Sequence, residues 1–380
     1  MSEPQTVALV LGSGGARGYA HIGVIEVLRE QGYNIVAISG ASMGALIGGM
    51  YAAGKLRAYK DWVTGLDQFQ LLRLLDFSLG SPGAIRGEKV FGVVQEMLGD
   101  TRIEDLEIPF TAVATDLLAH QEVWFQEGPL HQAVRASTAI PSVITPVMLH
   151  DRVLVDGGLL NPLPIIPTVA ARADMTLAVN LSGTDKRYAN LPPVEEWASR
   201  ERQQNQAAVE AEAEASGDEE VDPSEEADAS PDEWLERLKQ RAARWFDWDS
   251  EDNGGRQRGR ASSEEQALAE AQKRHARESR AGKGNGNDDA RSVSLQELGL
   301  GKFDVMNLAI ETMQDSLTRY KIAGYPPDIL INFPKHVCRS FDYHRAPELI
   351  QLGRMLAEDA LEEHRNAGKG EPRIPGSSRQ

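Results

Sequence analysis

Residues 35–53 read IVAISGASMGALIGGMYAA: an apolar run, a Gly-rich turn and a segment of small side chains in succession. The apolar run predicts a buried strand and the last segment a helix, so Gly40-Ala-Ser42-Met43-Gly44 falls on the turn between them. This is the context in which a G-x-S-x-G sequence is informative, because the glycines relieve a sharp turn from which the serine projects. The Met43 N–H, at the start of the helix, is a candidate oxyanion donor.

Apolar runs and amphipathic segments alternate along most of the chain, as expected for strands and helices packed in layers. The predicted strands are Val7–Leu11, Ile35–Ile38, Phe110–Thr115, Glu122–Phe125, Arg152–Val155, Met175–Asn180 and Asp328–Phe333. The predicted helices lie near Arg17–Glu30, Met43–Ala53, Glu88–Leu98, Leu130–Ala136, Phe303–Tyr320 and Ala346–Glu362. This order predicts an α/β fold.

A second Gly-rich stretch, Gly12-Ser-Gly14-Gly15-Ala16-Arg17-Gly18, follows the first predicted strand. Successive glycines can form a nest of N–H groups that binds an anion. Interpreted as an oxyanion loop, Gly14, Gly15 and Ala16 lie beside a developing alkoxide and Arg17 adds positive charge nearby.

The same stretch also resembles a dinucleotide-binding turn, which would place a pyrophosphate at the following helix N-terminus. That fold needs an acidic residue near the end of the second strand, whereas this strand ends in Ser39 and Gly40. A dinucleotide-binding protein therefore stays as the alternative function.

The third signal is Leu154-Val-Asp156-Gly157-Gly158, in which an apolar strand ends in a carboxylate and two glycines. An isolated Asp-Gly-Gly is usually only a turn. Here it gains weight from the two other motifs, although only folding could bring Asp156 to Ser42.

In their order and approximate spacing, these three motifs resemble those of patatin-like phospholipases. The block Arg135-Ala-Ser137-Thr-Ala-Ile-Pro141 is similar to that family as well, and Arg17-Gly-Tyr-Ala-His21-Ile-Gly23 resembles bacterial members related to the catalytic domain of neuropathy target esterase. The resemblance implies a three-layer α/β/α fold around a central, mostly parallel sheet. It also implies a Ser-Asp dyad without histidine, mapped here on Ser42 as nucleophile and Asp156 as base.

The expected activity is that of a serine acyl hydrolase of the phospholipase A or lysophospholipase type, which cleaves lipid esters through an acyl-enzyme. A Ser-His-Asp triad is an alternative, with His336 or His344 after the acid. His21 is expected to pack or hydrogen-bond. A regulatory scaffold that has kept the fold without catalysis is a further alternative.

The domain organisation follows from composition. Residues 6–184 and 290–365 are predicted to form one catalytic domain, interrupted by an acidic, mostly disordered insertion at 185–289 and followed by a disordered tail at 366–380. Within the insertion, residues 233–247 have helical apolar spacing with basic residues between, which predicts an amphipathic helix. Its protein partner is left unidentified by the sequence.

Bulk charge and residue usage exclude several classes. A formal net charge of -17 argues against nucleic acid as a partner. The single cysteine, Cys338, cannot form an internal disulfide and is expected to be a buried thiol. We expect no metal, since no cluster has metal-ligand spacing, and no cofactor. Without an export signal, a cytoplasmic protein with transient contact to the membrane surface is expected.

Overall fold

In the computed structural model of the chain, the described residues are 4–66, 70, 74, 83–85, 87–183, 186–188, 191, 194 and 302–369. They belong to two compact units. The first contains the described residues up to 194 together with 314–369, and the second contains 302–313. Most of the predicted insertion, including the helix at 233–247, lies outside the described residues, as do residues 290–301 and 370–380.

The apolar runs form strands and the amphipathic segments form helices. The strands are β1 Thr6–Leu11, β2 Asn34–Ala41, β3 Gly83–Ile85, β4 Phe110–Asp116, β5 Gln121–Phe125, β6 Ser142–Ile144, β7 Val147–Leu149, β8 Arg152–Asp156, β9 Met175–Gly183 and β10 Ile329–Pro334. The α-helices are α1 Ala20–Glu30, α2 Met43–Ala52, α3 Leu56–Thr64, α4 Glu88–Leu98, α5 Leu130–Ser137, α6 Lys302–Gly324 and α7 Ala346–Lys369. Short 3-10 turns, among them Gly15–Tyr19 and Gly157–Leu159, connect several of them.

Eight strands form one mixed sheet in the order β10-β9-β1-β2-β4-β8-β7, with β5 also paired to β4. The pairs β10–β9, β9–β1, β1–β2 and β2–β4 are parallel. The pairs that involve β5, β7 and β8 are antiparallel. β3 and β6 form a separate two-stranded parallel pair. The parallel part is buried on both faces, which explains why β1 and β2 are continuous apolar runs.

Helices cover both faces of the sheet. Consecutive residues of a strand point to opposite faces. Val10 of β1 belongs to a hydrophobic cluster with Ile165, and Ile322 of α6 packs against this cluster. Its neighbour Leu11 lies instead against α2 at Gly48. The arrangement is a three-layer α/β/α fold, as the resemblance to patatin-like phospholipases implies.

Several elements differ from the sequence prediction. The first helix begins at Ala20 instead of Arg17, because Gly15–Tyr19 forms a tighter 3-10 turn. α3 was not predicted, although Leu56, Tyr59 and Trp62 recur at helical spacing and are buried. The sequence also does not predict β3, β6 and β7, because strands of three residues leave little periodicity.

Regular secondary structure extends into the predicted insertion and into the predicted tail. Residues 186–188, predicted to belong to the disordered insertion, form a 3-10 turn that packs on α7: the Tyr188 hydroxyl donates to Asp359 at 2.6 Å and Arg187 pairs with Glu363. α7 ends at Lys369, inside the predicted tail of 366–380, because extending an existing helix costs far less than starting one.

Candidate active site

The turn that carries Ser42 is the sharpest feature of the site. β2 ends at Ala41, α2 begins at Met43, and Ser42 between them has φ 55° and ψ −124°. Non-glycine residues in this region store strain, which persists only where surrounding contacts hold it. A Cβ on Gly40 would overlap the backbone of Gly44, so glycine is required for the strand and the helix to come this close.

The sheet brings Ser42 and Asp156 together, because the strands that carry them end next to each other. β2 runs parallel to β4 and its last pair is Ala41 with Val113, whereas β8 runs antiparallel and its last pair is Asp156 with Ala114. β5 occupies the opposite edge of β4 over the same residues, so β2 and β8 share one edge. Their C-terminal ends therefore meet at consecutive residues of β4.

At this meeting point the Ser42 hydroxyl donates a hydrogen bond to Oδ2 of Asp156. The two residues are only 3% and 4% exposed. The second carboxylate oxygen, Oδ1, accepts the N–H of Gly158 at 2.7 Å. Burial raises the pKa of Asp156 to about 6, because an ionised carboxylate is poorly solvated there, and the hydrogen bonds from Ser42 and Gly158 oppose this rise.

The glycine loop after β1 lies beside this pair. The N–H groups of Gly12 and Ser13 donate to the carbonyls of Val179 and Pro162, and that of Ala16 donates to the carbonyl of Ser340. Gly15, at φ 57°, lines the same cavity as Ser42, as does Met43. Since Met43 is the first residue of α2, its N–H has no acceptor within the helix and is available to a ligand.

Two side chains brace this loop. The Arg17 guanidinium is buried, with Nε donating to the Gly14 carbonyl at 3.3 Å and Nη2 donating to the Ser340 hydroxyl at 2.8 Å. The fully buried His21 places Nε2 at 2.9 Å from the Gly12 carbonyl. Burial lowers the pKa of His21 to about 4, so its ring is neutral near pH 7 and Nε2–H donates to that carbonyl.

Ser42 opens onto an apolar cavity of about 140 Å³. Cavities of similar size lined by Leu, Ile and Phe stay dry and take up apolar ligands. The wall is made almost entirely of aliphatic and aromatic side chains, among them those of Leu46, Tyr59, Trp62, Leu66, Val90, Phe91, Ile140, Val143 and Ile144. The site can thus present a hydroxyl and a carboxylate to an ester whose hydrocarbon part is buried.

The C-terminal segment completes the cavity, which the sequence did not indicate. Phe341 and Tyr343 lie in its wall. Tyr343 packs edge-on against Tyr19, with ring centroids 6.2 Å apart. Burial, and then the charge of Asp156, raise the pKa of Tyr343 above its usual value, so this phenol stays protonated. No local motif marks these residues, because they meet Ser42 only across the fold.

The histidines proposed for a triad lie elsewhere. Nε2 of His336 is 3.2 Å from the Leu191 carbonyl. In the part of the chain that the structure describes, neither His336 nor His344 is hydrogen-bonded to Ser42 or Asp156. Cys338, as expected, is a buried thiol.

Neither a metal cluster nor a spanning helix is found in the described residues. Within these ranges, no three His, Cys, Asp or Glu side chains are grouped so that they could hold a metal ion. None of the helices in the same ranges combines the length and the apolar composition needed to cross a bilayer.

Comparison with known proteins assigns the family. Residues 9–169 match the model of patatin-like phospholipases. An uncharacterized NTE family protein of Mycobacterium tuberculosis H37Rv is 42% identical over 95% of this chain and 92% of its own length. The chain belongs to the NTE-related patatin-like phospholipase family.

More distant members of this patatin-like family match about half of this chain. Mouse patatin-like phospholipase domain-containing protein 6 is 32% identical over 48% of this chain and 14% of its own length. Lysophospholipase NTE1 of Candida glabrata is 28% identical over 48% of this chain and 11% of its own length. The family supports a hydrolase that acts on lipid esters.

Proposed function

We propose that this patatin-like protein is a serine acyl hydrolase of phospholipase A or lysophospholipase type, with Ser42 as nucleophile and Asp156 as its base. The observation that carries the proposal is the hydrogen bond from the Ser42 hydroxyl to the Asp156 carboxylate, at the wall of an apolar cavity. A buried nucleophile hydrogen-bonded to a base is the arrangement that covalent catalysis needs.

In the proposed first step, Ser42 Oγ attacks the ester carbonyl carbon while its proton passes to Asp156. The oxyanion that forms is stabilised by the N–H groups of Gly14, Gly15 and Met43, with Gly15 and Met43 both in the cavity wall. The Ala16 N–H, which the sequence also suggested, is instead bonded to the Ser340 carbonyl. Collapse of this intermediate breaks the bond to the alcohol oxygen, which takes the proton from Asp156. The acyl group remains on Ser42.

The second step releases the acyl group. A water molecule attacks the acyl-enzyme carbonyl and transfers a proton to Asp156, and collapse of this intermediate returns the proton to Ser42 Oγ. The products are a fatty acid and a lysolipid or glycerophospho compound, and only this chain's own groups and water take part.

The pKa of Asp156 suits this role. A carboxylate near its ordinary pKa of 3.8 would be a very weak base towards a serine hydroxyl, and a pKa of about 6 makes it a stronger one. The group is still ionised near pH 7, so it can accept the proton. Burial therefore reduces the mismatch without removing the charge.

The cavity supports a hydrocarbon substrate. Its apolar wall favours an acyl chain over a polar group, since burying a polar group without a partner costs free energy. The relatives named as a lysophospholipase and a phospholipase domain agree with this substrate class. Because lipid esters are held in aggregates and bilayers, the proposal includes transient contact with a membrane surface from the cytoplasmic side.

The test compares Ser42→Ala with Ser39→Ala, a matched loss of a buried hydroxyl on β2, the strand that precedes Ser42. Turnover of a lysophospholipid and labelling by a fluorophosphonate should disappear in the first variant and persist in the second, with both folded by circular dichroism. Ester turnover that survives in folded Ser42→Ala would reject the proposal.

A further inference from the structure

The three residues 137–139 contact the backbone of both Ser42 and Asp156. The N–H of Ser42 donates to the Ser137 hydroxyl oxygen at 2.9 Å, and the N–H of Asp156 donates to the Ala139 carbonyl at 2.9 Å. These residues are the end of α5 and the start of the loop that follows. One short piece of chain thus holds the two turns on which the proposed nucleophile and base lie.

The Ser137 hydroxyl is itself anchored on the sheet. It is fully buried and donates to the carbonyl of Val113 at 2.6 Å. Val113 is the β4 residue paired with Ala41, immediately before Ser42. The same carbonyl lies so close to Gly157 that a Cβ there would overlap it. The hydroxyl is therefore positioned against a strand that contacts both turns.

The strained conformation of Ser42 makes this hydrogen bond consequential. With φ at 55°, Ser42 precedes the helix, so its N–H has no acceptor from regular secondary structure. A buried N–H left without an acceptor costs free energy, and a strained turn with a free N–H would relax. Ser137 supplies the acceptor and so fixes the direction of the turn.

We propose that Ser137 is a positioning residue that holds the strained Ser42 turn within hydrogen-bond distance of Asp156. This inference rests on the proposed function. Ser137 is not part of the cavity wall, whereas its neighbour Thr138 is, so its role passes through Ser42 and not through the substrate.

Removing the hydroxyl should affect catalysis more than binding. In Ser137→Ala the turn loses its acceptor and the Ser42–Asp156 hydrogen bond lengthens. Displacement of a reacting group by about 1 Å can cost on the order of a hundredfold in rate. We expect kcat per active site to fall about tenfold to a hundredfold, with KM changed less than about threefold because the cavity wall is intact.

The pH profile gives a readout that a loss of folded protein would not change. The hydrogen bond from Ser42 is one of two that lower the pKa of Asp156, so weakening it should raise that pKa further. The groups that face Asp156 are the Ser42 hydroxyl, the Gly158 N–H and the Tyr343 phenol, which stays protonated. The acid limb of kcat/KM should therefore move to higher pH.

The experiment measures kcat/KM against pH for the wild type, Ser137→Ala, Ser137→Thr and Ser39→Ala, each normalised to active sites titrated with a fluorophosphonate. Ser137→Thr keeps the hydroxyl and should restore most of kcat and the wild-type midpoint. Ser39 is a matched control, because its buried hydroxyl donates to the Pro164 carbonyl at 2.5 Å and serves no proposed catalytic group. Its variant should keep the wild-type midpoint.

The inference is overturned if Ser137→Ala shows the wild-type kcat per active site, or a lower kcat with an unmoved acid limb. Should this variant fail to fold, Ser137→Cys is measured instead, since a thiol keeps the volume but accepts hydrogen bonds weakly. The same two results then decide. Turnover retained in Ser42→Ala would reject the proposed function, which is a separate result from these.

Discussion

Replacing Asp156 with Asn should stabilise the protein at neutral and alkaline pH while abolishing ester hydrolysis. The amide can keep both contacts of the carboxylate: its oxygen accepts the N–H of Gly158, and its NH₂ group donates to the Ser42 oxygen. What disappears is a buried negative charge. The variant therefore measures the free energy of burying the ionised carboxylate while the surrounding hydrogen bonds are kept.

The magnitude follows from the pKa. Burial raises the pKa of Asp156 from 3.8 to about 6, and a tenfold change in proton affinity is worth ~1.36 kcal/mol, so ionisation costs the folded state about 3 kcal/mol. Below the unfolded pKa both states hold the proton and the cost is absent. It grows as pH rises, because the unfolded chain ionises first, and is complete above about pH 6. Roughly 2 kcal/mol of it develops between about pH 4.5 and about pH 8.

The assay is denaturant unfolding of the wild type and Asp156→Asn at these two pH values. The stability difference, variant minus wild type, should increase by about 2 kcal/mol from the lower to the higher pH. Asp174→Asn is the control of opposite sign, because hydrogen bonds from Thr6 lower the pKa of that exposed carboxylate. A stability difference for Asp156→Asn that does not change with pH would refute the reasoning.

Three further outcomes are expected. The wild-type kcat/KM should rise with pH to a midpoint near 6 and then level off, since Asp156 must be ionised to accept a proton; a profile that is flat through this range would contradict the role. Gly15→Ala should cost about 1–3 kcal/mol in denaturant unfolding and at least about tenfold in kcat, because Gly15 has φ 57° and a Cβ would overlap the Ser340 carbonyl; wild-type behaviour would argue against the loop geometry. Trp62→Ala should enlarge the cavity and shift the optimum towards longer chains in a series of p-nitrophenyl esters, and an unchanged preference would show that this wall does not select the acyl chain.

The parts of the site that the sequence could predict are those whose geometry is local. The turn at Ser42 needs glycine at Gly40 and Gly44, and the turn after Asp156 needs Gly157, because backbone passes too close for a Cβ. Such requirements can be read from the sequence, because only glycine satisfies them. The stretch from Arg135 to Pro141 shows in the sequence only a similarity to the family. Its contacts with Ser42 and Asp156 are visible only in the fold.

The cavity wall could not be predicted in the same way. The segment with Phe341 and Tyr343 reaches Ser42 from a distant part of the chain, whereas α3 follows α2 directly. The side chains of both are ordinary aromatic and aliphatic residues. Nothing in their local pattern distinguishes a cavity wall from any other packed surface. The same holds for the Ser340 carbonyl, which accepts the Ala16 N–H and closes the glycine loop from the C-terminal segment.

The sequence by itself determined the alternation of strands and helices and the two glycine-flanked turns that present Ser42 and Asp156, because apolar periodicity and glycine are dictated by short-range sterics and burial. Only the tertiary structure decided that β2 and β8 end against each other on one edge of β4. Strand order and register depend on contacts between segments far apart in the chain. This strand pairing brings the Ser42 hydroxyl within hydrogen-bond distance of the Asp156 carboxylate. Both groups are buried there, and burial raises the pKa of Asp156.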